Sequence, residues 1–175
     1  MITFQHVSFS YDSHGEQEAG QRTEDLQDIN LMVHDGECVL LTGKSGCGKT
    51  TMTRLVNGLV PHFYPGKLCG EVLLDGRNVS EMPMYETASL VGSVFQNPRT
   101  QFFNIDTDSE IAFGLENRAF PREQIEEKVA TAAKDLKIEN LRGRNIFSLS
   151  GGEKQKIAFA SVYAMNPSVY LLDEP

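Results

Sequence analysis

The stretch Gly43-Lys44-Ser45-Gly46-Cys47-Gly48-Lys49-Thr50, followed by Thr51, has the residue types and spacing that hold phosphates. Glycines let the backbone turn back on itself, so that successive N–H groups point inward at the α- and β-phosphates of a nucleotide. In that arrangement Lys49 reaches the β- and γ-phosphates, and the Thr50 hydroxyl ligates Mg²⁺. The pattern therefore predicts a site for a nucleoside triphosphate with its metal.

Such a loop works only between a strand and a helix. Cys38-Val39-Leu40-Leu41 is a short apolar run, which predicts a buried parallel strand leading in. Met52, Leu55, Val56 and Leu59 fall at helical spacing and predict an amphipathic helix leading out, its N-terminus aimed at the phosphates.

At 175 residues the chain is long enough for one well-buried core. A net charge of −8 argues against a nucleic-acid-binding face. No apolar run approaches the length of a membrane span, and Met1-Ile2-Thr3-Phe4-Gln5-His6 does not resemble a signal peptide. The expectation is a cytoplasmic protein whose membrane connection comes through a partner. Three cysteines at unrelated spacings give neither a disulfide framework nor a zinc pattern. Cys38 falls in the expected strand, Cys69 in a loop, and Cys47 inside the phosphate loop, where a bound nucleotide should shield it from a thiol reagent.

In chain order, residues 2–11 read as a strand whose alternation shifts between Phe4 and Val7, as at a bulge. Asp12 to Glu24 is polar and reads as a long surface loop. Ile29, Leu31 and Val33 alternate as a half-buried strand, and Asp35-Gly36 turns the chain toward Cys38, so the first 42 residues are expected to form a small β-meander. Pro61 to Gly66 reads as a loop, Gly70–Gly76 as a strand with a turn, and Leu90–Phe95 as a further strand stopped by Gln96-Asn97-Pro98. Helices follow: Asp108 to Arg118 with Asp108 or Ser109 as cap, one opened by Pro121 as its first residue, and one from about Gly152 to Met165. The faces of Ile125, Val129, Ala132 and Leu136 read as core, and Leu141 to Arg144 as a solvated basic turn. Ser168 to Leu172 is a last apolar strand that delivers Asp173 and Glu174.

Two further stretches join the phosphate loop. Asp173, at a strand end, suits a water-mediated Mg²⁺ ligand, and Glu174 suits a group that polarises an attacking water. Leu149-Ser150-Gly151-Gly152-Glu153-Lys154-Gln155 places a serine and paired glycines at a helix start, a second anion-binding element. Taken in order, the three stretches resemble Walker A, the L-S-G-G-Q signature and Walker B of ATP-binding cassette (ABC) ATPases, with Glu153 standing where glutamine is commoner. The resemblance implies an α/β P-loop NTPase core with an N-terminal antiparallel β-subdomain and an inserted α-helical subdomain. As one partial cassette over 1–175, residues 1–96 and 149–175 would form the nucleotide-binding core. Residues 97–148 would form the helical subdomain facing a transmembrane transporter subunit.

Residue by residue, the resemblance implies that Tyr11 stacks on adenine and that Gln96 touches Mg²⁺ and couples ATP to the transporter. It implies that Ser150, Gly151, Gly152 and Glu153 act on the ATP of a second ATPase, identical or sister, packed head to tail. Asn57 to Tyr64 and Gln96 to Phe103 are similar to loop phrases of energy-coupling-factor (ECF) importers, which take up vitamins or cobalt and nickel ions. The implied placement is peripheral, on the inner face of the cell membrane. One departure stands out. ABC cassettes continue past the Walker-B glutamate to a dimer-contacting D-loop and a switch histidine, whereas His6, His14, His34 and His62 all precede the signature. The expectation is a C-terminally incomplete cassette with apolar strand surface left uncovered. A nucleotide-binding module without turnover is the rival reading. An ABC-type ATPase acting on DNA or ribosomes is a weaker one, because the chain is acidic and the stretch from Gln96 to Leu149 carries no heptads.

Overall fold

The computed structural model describes residues 1–12 and 26–173; the expected loop at Asp12 to Glu24 falls outside them but for Asp12, as does Glu174. The chain divides into two compact units, Met1–Ala88 and Ser89–Pro175.

The first unit is built on an antiparallel sheet. Strand β1 (Ile2–Tyr11) lies between β2 (Leu26–Val33) and β3 (Gly66–Leu74), and β4 (Arg77–Asn78) extends the β3 edge, giving the order β2-β1-β3-β4. β1 carries the core residues Phe4, Val7 and Phe9. Their odd spacing is resolved by the predicted bulge, since the register of β1 shifts between Phe4 and Val7 against β2 and between Gln5 and Ser8 against β3. The extra residue is His6, at φ 49°, and Gly70 opposite makes room for it. A Cβ on Gly70 would lie 2.3 Å from the His6 carbonyl oxygen.

Helix α1 (Lys49–Val56) buries Thr51, Leu55 and Val56. It stops earlier than its apolar spacing predicts, because Gly58 takes a left-handed φ of 76°. Leu59 belongs instead to a separate helical turn, α2 (Leu59–His62), which runs into the expected loop at Pro61 and His62. The Asp75-Gly76 turn forms as expected, and α3 (Met84–Leu90) follows β4.

The apolar run Cys38–Leu41 is the main departure. It forms no strand, and Val39, Leu40 and Leu41 are 46%, 84% and 37% exposed. Short apolar runs become strands only where a neighbour pairs their N–H and C=O groups. Among the described residues none does: the four-stranded sheet closes on its own members, and β3, not Cys38–Leu41, joins β1 and β2. The expected meander is therefore a β1–β2 pair completed by a later strand, and Cys38 is exposed.

In the second unit β5 (Val91–Val94) pairs in parallel with β6 (Val169–Leu172), Val94 opposite Leu172. Helices α4 (Thr107–Asn117), α5 (Arg122–Asp135) and α6 (Gly151–Ala164) pack through Ile111, Leu115, Val129, Ala132, Ile157 and Ala160. On its other side α6 meets β5 through Ala158 and Val162. It is buried on two sides, which is why its apolar residues do not form a single stripe. Gly92 admits the close approach, since a Cβ there would sit 2.3 Å from Val162 Cγ1.

Two helix starts move from their expected places. The cap of α4 is Asp106, whose carboxylate accepts from Ser109 N–H at 2.9 Å, because this carboxylate reaches the orphan N–H where Asp108 and Ser109 already lie in the first turn. Hydrogen bonds from Ser109 hold the Asp106 carboxyl below its ordinary pKa. Pro121 stands at the cap position of α5 with extended ψ, and Arg122 is the first helical residue. No helix among the described residues is long and apolar enough to cross a membrane.

Candidate functional site

The phosphate loop of the first unit is folded around its own lysine. Lys49 Nζ donates to the Gly43 carbonyl at 3.0 Å and to the Lys44 carbonyl at 3.1 Å, with Cys47 Sγ 3.9 Å away. Gly46 (φ 80°) and Gly48 (φ 93°) supply the left-handed turns that bring the loop round. Lys44, Ser45, Gly46 and Cys47 are exposed, and Gly48 and Lys49 partly so. Gly48 caps α1 without a side-chain hydrogen bond to the first turn. The loop therefore presents the Lys49 ammonium, backbone N–H groups and a helix N-terminus, with the exposed Lys44 beside them, a donor set that suits a polyphosphate. Thr50 sits exposed on the first turn of α1, its carbonyl accepting from Thr53 Oγ1 at 2.9 Å.

Tyr11 ends β1 beside this helix. Its hydroxyl lies 3.2 Å from Thr51 Oγ1, and Arg54 Nη1 donates to it at 3.0 Å. The Arg54 guanidinium also lies 4.0 Å from the centre of the Tyr64 ring. Tyr11 thus joins the phosphate-loop helix through side chains, a contact the sequence did not announce; the resemblance implied for it only a stacking role on adenine. Arg54 was missed; the signal available was its i+3 spacing from Thr51 on a helical face.

In the second unit, Gln96 and Asp173 are brought to the same end of the parallel pair. Asp173 N–H donates to the Val94 carbonyl at 2.9 Å, one step beyond β6, and Gln96 lies two residues beyond Val94. Carboxyl ends of parallel strands are where such sheets offer ligands their polar groups. Gln101, also missed, braces this end. Its amide accepts from Phe95 N–H and donates to the Ser93 carbonyl, both at 3.3 Å, as a neighbouring strand would. Among the described residues no group of three or more His, Cys, Asp or Glu side chains could hold a metal. A Mg²⁺ ion bound mainly through phosphates, one hydroxyl and water needs no such cage.

The signature stretch is a complete capping box. Ser150 Oγ accepts from Glu153 N–H at 3.4 Å, while Glu153 Oε2 accepts from Ser150 N–H at 2.8 Å and from the Ser150 hydroxyl at 2.7 Å. These hydrogen bonds from Ser150 hold the Glu153 carboxyl below its usual range, with Arg144 and Lys156 adding to the effect. Gly151 and Gly152 form the exposed first turn, and a Cβ on either would meet nothing within 4 Å. Lys154, nearly buried, donates from Nζ to the Phe147 carbonyl at 3.4 Å and ties the turn before the helix to it.

With this geometry in place, comparison with known proteins gives a consistent answer. The sequence profile described as "ABC transporter" matches residues 26–175. A Treponema denticola protein provisionally named an ABC transporter ATP-binding protein is 56% identical over 175 residues, covering all of this chain and 34% of that protein. The Bacillus subtilis protein YkoD, provisionally named an HMP/thiamine import ATP-binding protein, is 40% identical over 176 residues, covering all of this chain and 31% of its own length. Among solved structures, cbiO1 of Clostridium perfringens, described as part of the ABC transporter complex cbiONQ, superposes with a TM-score of 0.81 at 28% identity. That match covers 99% of this chain and 65% of cbiO1. The ATP-binding cassette MJ0796 shares the fold, with a TM-score of 0.80 at 24% identity over 98% of this chain and 73% of that one. The chain spans about a third of the length of the Treponema denticola and Bacillus subtilis relatives.

Proposed function

Because the chain belongs to the ABC transporter family, we propose that it is the ATP-binding and ATP-hydrolysing part of a transporter subunit, of the ECF importer kind. The observation that carries this reading is the phosphate loop, with Lys49 held on the Gly43 and Lys44 carbonyls and α1 left without a side-chain cap. The likeness to cbiO1 and YkoD supports the importer class.

In this reading Lys44, Ser45, Gly46, Cys47 and Gly48 offer backbone N–H groups to the phosphates, and Lys49 leaves its carbonyl partners for the β- and γ-phosphates. By the resemblance, Thr50 of the first unit and, in the second, Gln96 and Asp173 are the residues that would hold Mg²⁺, which when bound would neutralise charge on the transferring phosphoryl group. Glu174, outside the described residues, orients the water whose oxygen attacks the γ-phosphorus as the bond to ADP breaks. Catalysis by such parts is positioning and charge stabilisation more than covalent chemistry.

Ser150, Gly151 and Gly152 serve the ATP of a second cassette packed head to tail. What supports this is the openness of the two glycines: their own fold asks for no glycine there, so close approach from outside is a reason for them. Residues 97–148 are the part that meets the transmembrane subunit, with 1–96 and 149–175 as core, and that subunit holds the protein at the inner face of the membrane. Exposed Phe103, Ile105 and Phe147 in that stretch support the assignment.

The test is equilibrium binding of Mg-ATP to the chain and to Lys49→Ala, with phosphate release followed in the same samples. The variant is expected to bind at least ~100-fold more weakly, since it loses a charge-assisted contact to the phosphates. Equal binding by both proteins would overturn the site.

A further inference from the structure

Arg54 stands at the junction of three groups. Its guanidinium donates to the Tyr11 hydroxyl at 3.0 Å and covers the Tyr64 ring at 4.0 Å. The same hydroxyl lies 3.2 Å from Thr51 Oγ1 on the first turn of α1, a pair in which either oxygen can donate. The ring of Tyr11 is further flanked edge-on by Phe9, with centroids 4.8 Å apart, and by Tyr64 at 6.3 Å. A tyrosine at the end of a strand would otherwise rotate about χ1, and ordering it would be charged against any ligand that stacks on it.

We propose that Arg54 is a positioning residue for nucleobase recognition, locking the Tyr11 ring against the phosphate-loop helix, with Tyr64 as the platform that fixes the guanidinium. This rests on the reading of Tyr11 as the base-stacking residue. Tyr64 restricts Arg54 by a cation–π contact, Arg54 restricts the Tyr11 hydroxyl, and the hydroxyl joins the helix that carries Lys49 and Thr50. Base and phosphate recognition are thereby registered to one rigid element. Arg54 itself contributes to the base without touching it.

The experiment compares binding of Mg-ATP with binding of Mg-tripolyphosphate, which lacks base and sugar, to the full chain and to Arg54→Leu, Tyr11→Phe, Tyr64→Leu and Tyr64→Phe. Arg54→Leu is expected to weaken ATP about ten-fold while tripolyphosphate affinity holds, because a hydrogen bond to a charged group is lost on the base side only. Tyr11→Phe keeps the ring and loses its anchor, so it should lower the ATP-to-tripolyphosphate ratio to a similar extent. The double variant should fall no further, as expected if Arg54 acts through that hydroxyl. Tyr64→Leu should follow the same direction, and Tyr64→Phe, which retains the ring face, should restore the ratio. Parallel loss of both ligands in Arg54→Leu and Tyr11→Phe would overturn the proposal, as would an unchanged ratio in both. A wild-type chain that binds ATP no more tightly than tripolyphosphate would instead overturn the base-stacking role of Tyr11, and this inference with it.

Discussion

Helix α1 starts at Gly48, which offers its first turn no side chain, whereas α6 starts at Ser150, which exchanges hydrogen bonds with Glu153 in both directions. Both starts are glycine-rich, and both read as anion-binding elements. Their glycines differ in kind. Gly46 and Gly48 hold left-handed backbone that the loop cannot do without, while Gly151 and Gly152 are ordinary helical residues with open space where a Cβ would be. The first start is thus shaped by its own fold and left polar toward solvent; the second is satisfied by its own side chains and left small. A helix start made to hold a ligand and one made to be approached leave different marks, and only the structure separates them.

Substitution of the glycines tests this contrast most strongly. Gly48→Ala is expected to lower stability by about 1–2 kcal/mol, the cost of left-handed backbone with a Cβ, and to lower Mg-ATP affinity with it. Gly151→Ala is expected to change stability by no more than about 0.5–1 kcal/mol, in the stabilising direction, because alanine is the better helix former. Thermal unfolding of the two variants measures both. Equal destabilisation would erase the distinction drawn from the backbone.

Ser150→Ala removes the cap of α6 and is expected to cost about 1 kcal/mol, while Mg-ATP binding to the phosphate loop of the same chain stays unchanged. Loss of ATP binding on this substitution would mean that the signature contributes to the chain's own nucleotide site. Labelling of Cys47 sharpens the other side: Mg-ATP should protect its exposed thiol, and equal labelling with and without nucleotide would remove Cys47 from the loop's binding surface.

Local chemistry carried much of this into the sequence. The bulge in β1 is written in the spacing of Phe4, Val7 and Phe9, and the start of α6 in Ser150 and its paired glycines. The loop glycines are legible because their backbone requirement is intrinsic. What depended on neighbours was not legible. Cys38–Leu41 has the composition of a buried strand, but pairing decides that outcome, and no partner strand takes it up among the described residues. The cap of α4 moved to Asp106 because several carboxylates and hydroxyls compete within three positions. The i+3 spacing of Arg54 from Thr51 shows its helical face but not its partner Tyr11, which lies far away in sequence, and the side chain of Gln101 completes the β5 edge, which no hydrophobic pattern encodes.

The smallest expected effect probes the charge within the capping box. The folded-state pKa of Glu153 lies below its unfolded value, because the ionised carboxylate accepts from the Ser150 hydroxyl and N–H. Its contribution to stability is therefore fully present above the usual carboxylate range and is lost as pH falls through the lowered folded value. The carboxylate is solvent-exposed, so the effect should be local: fraying of the first turn of α6, read as a loss of amide-exchange protection at Ser150, relative to the intrinsic rate at the same pH, on acidification. Glu153→Gln keeps an acceptor oxygen at the same reach and removes the titration. The variant should show the cap at neutral pH without the acid-dependent loss. An identical acid profile in wild type and variant would show that the box is held by the hydroxyl and backbone alone. The Glu153 charge would then be idle in the cap, and the two helix starts would differ in geometry without differing in electrostatics.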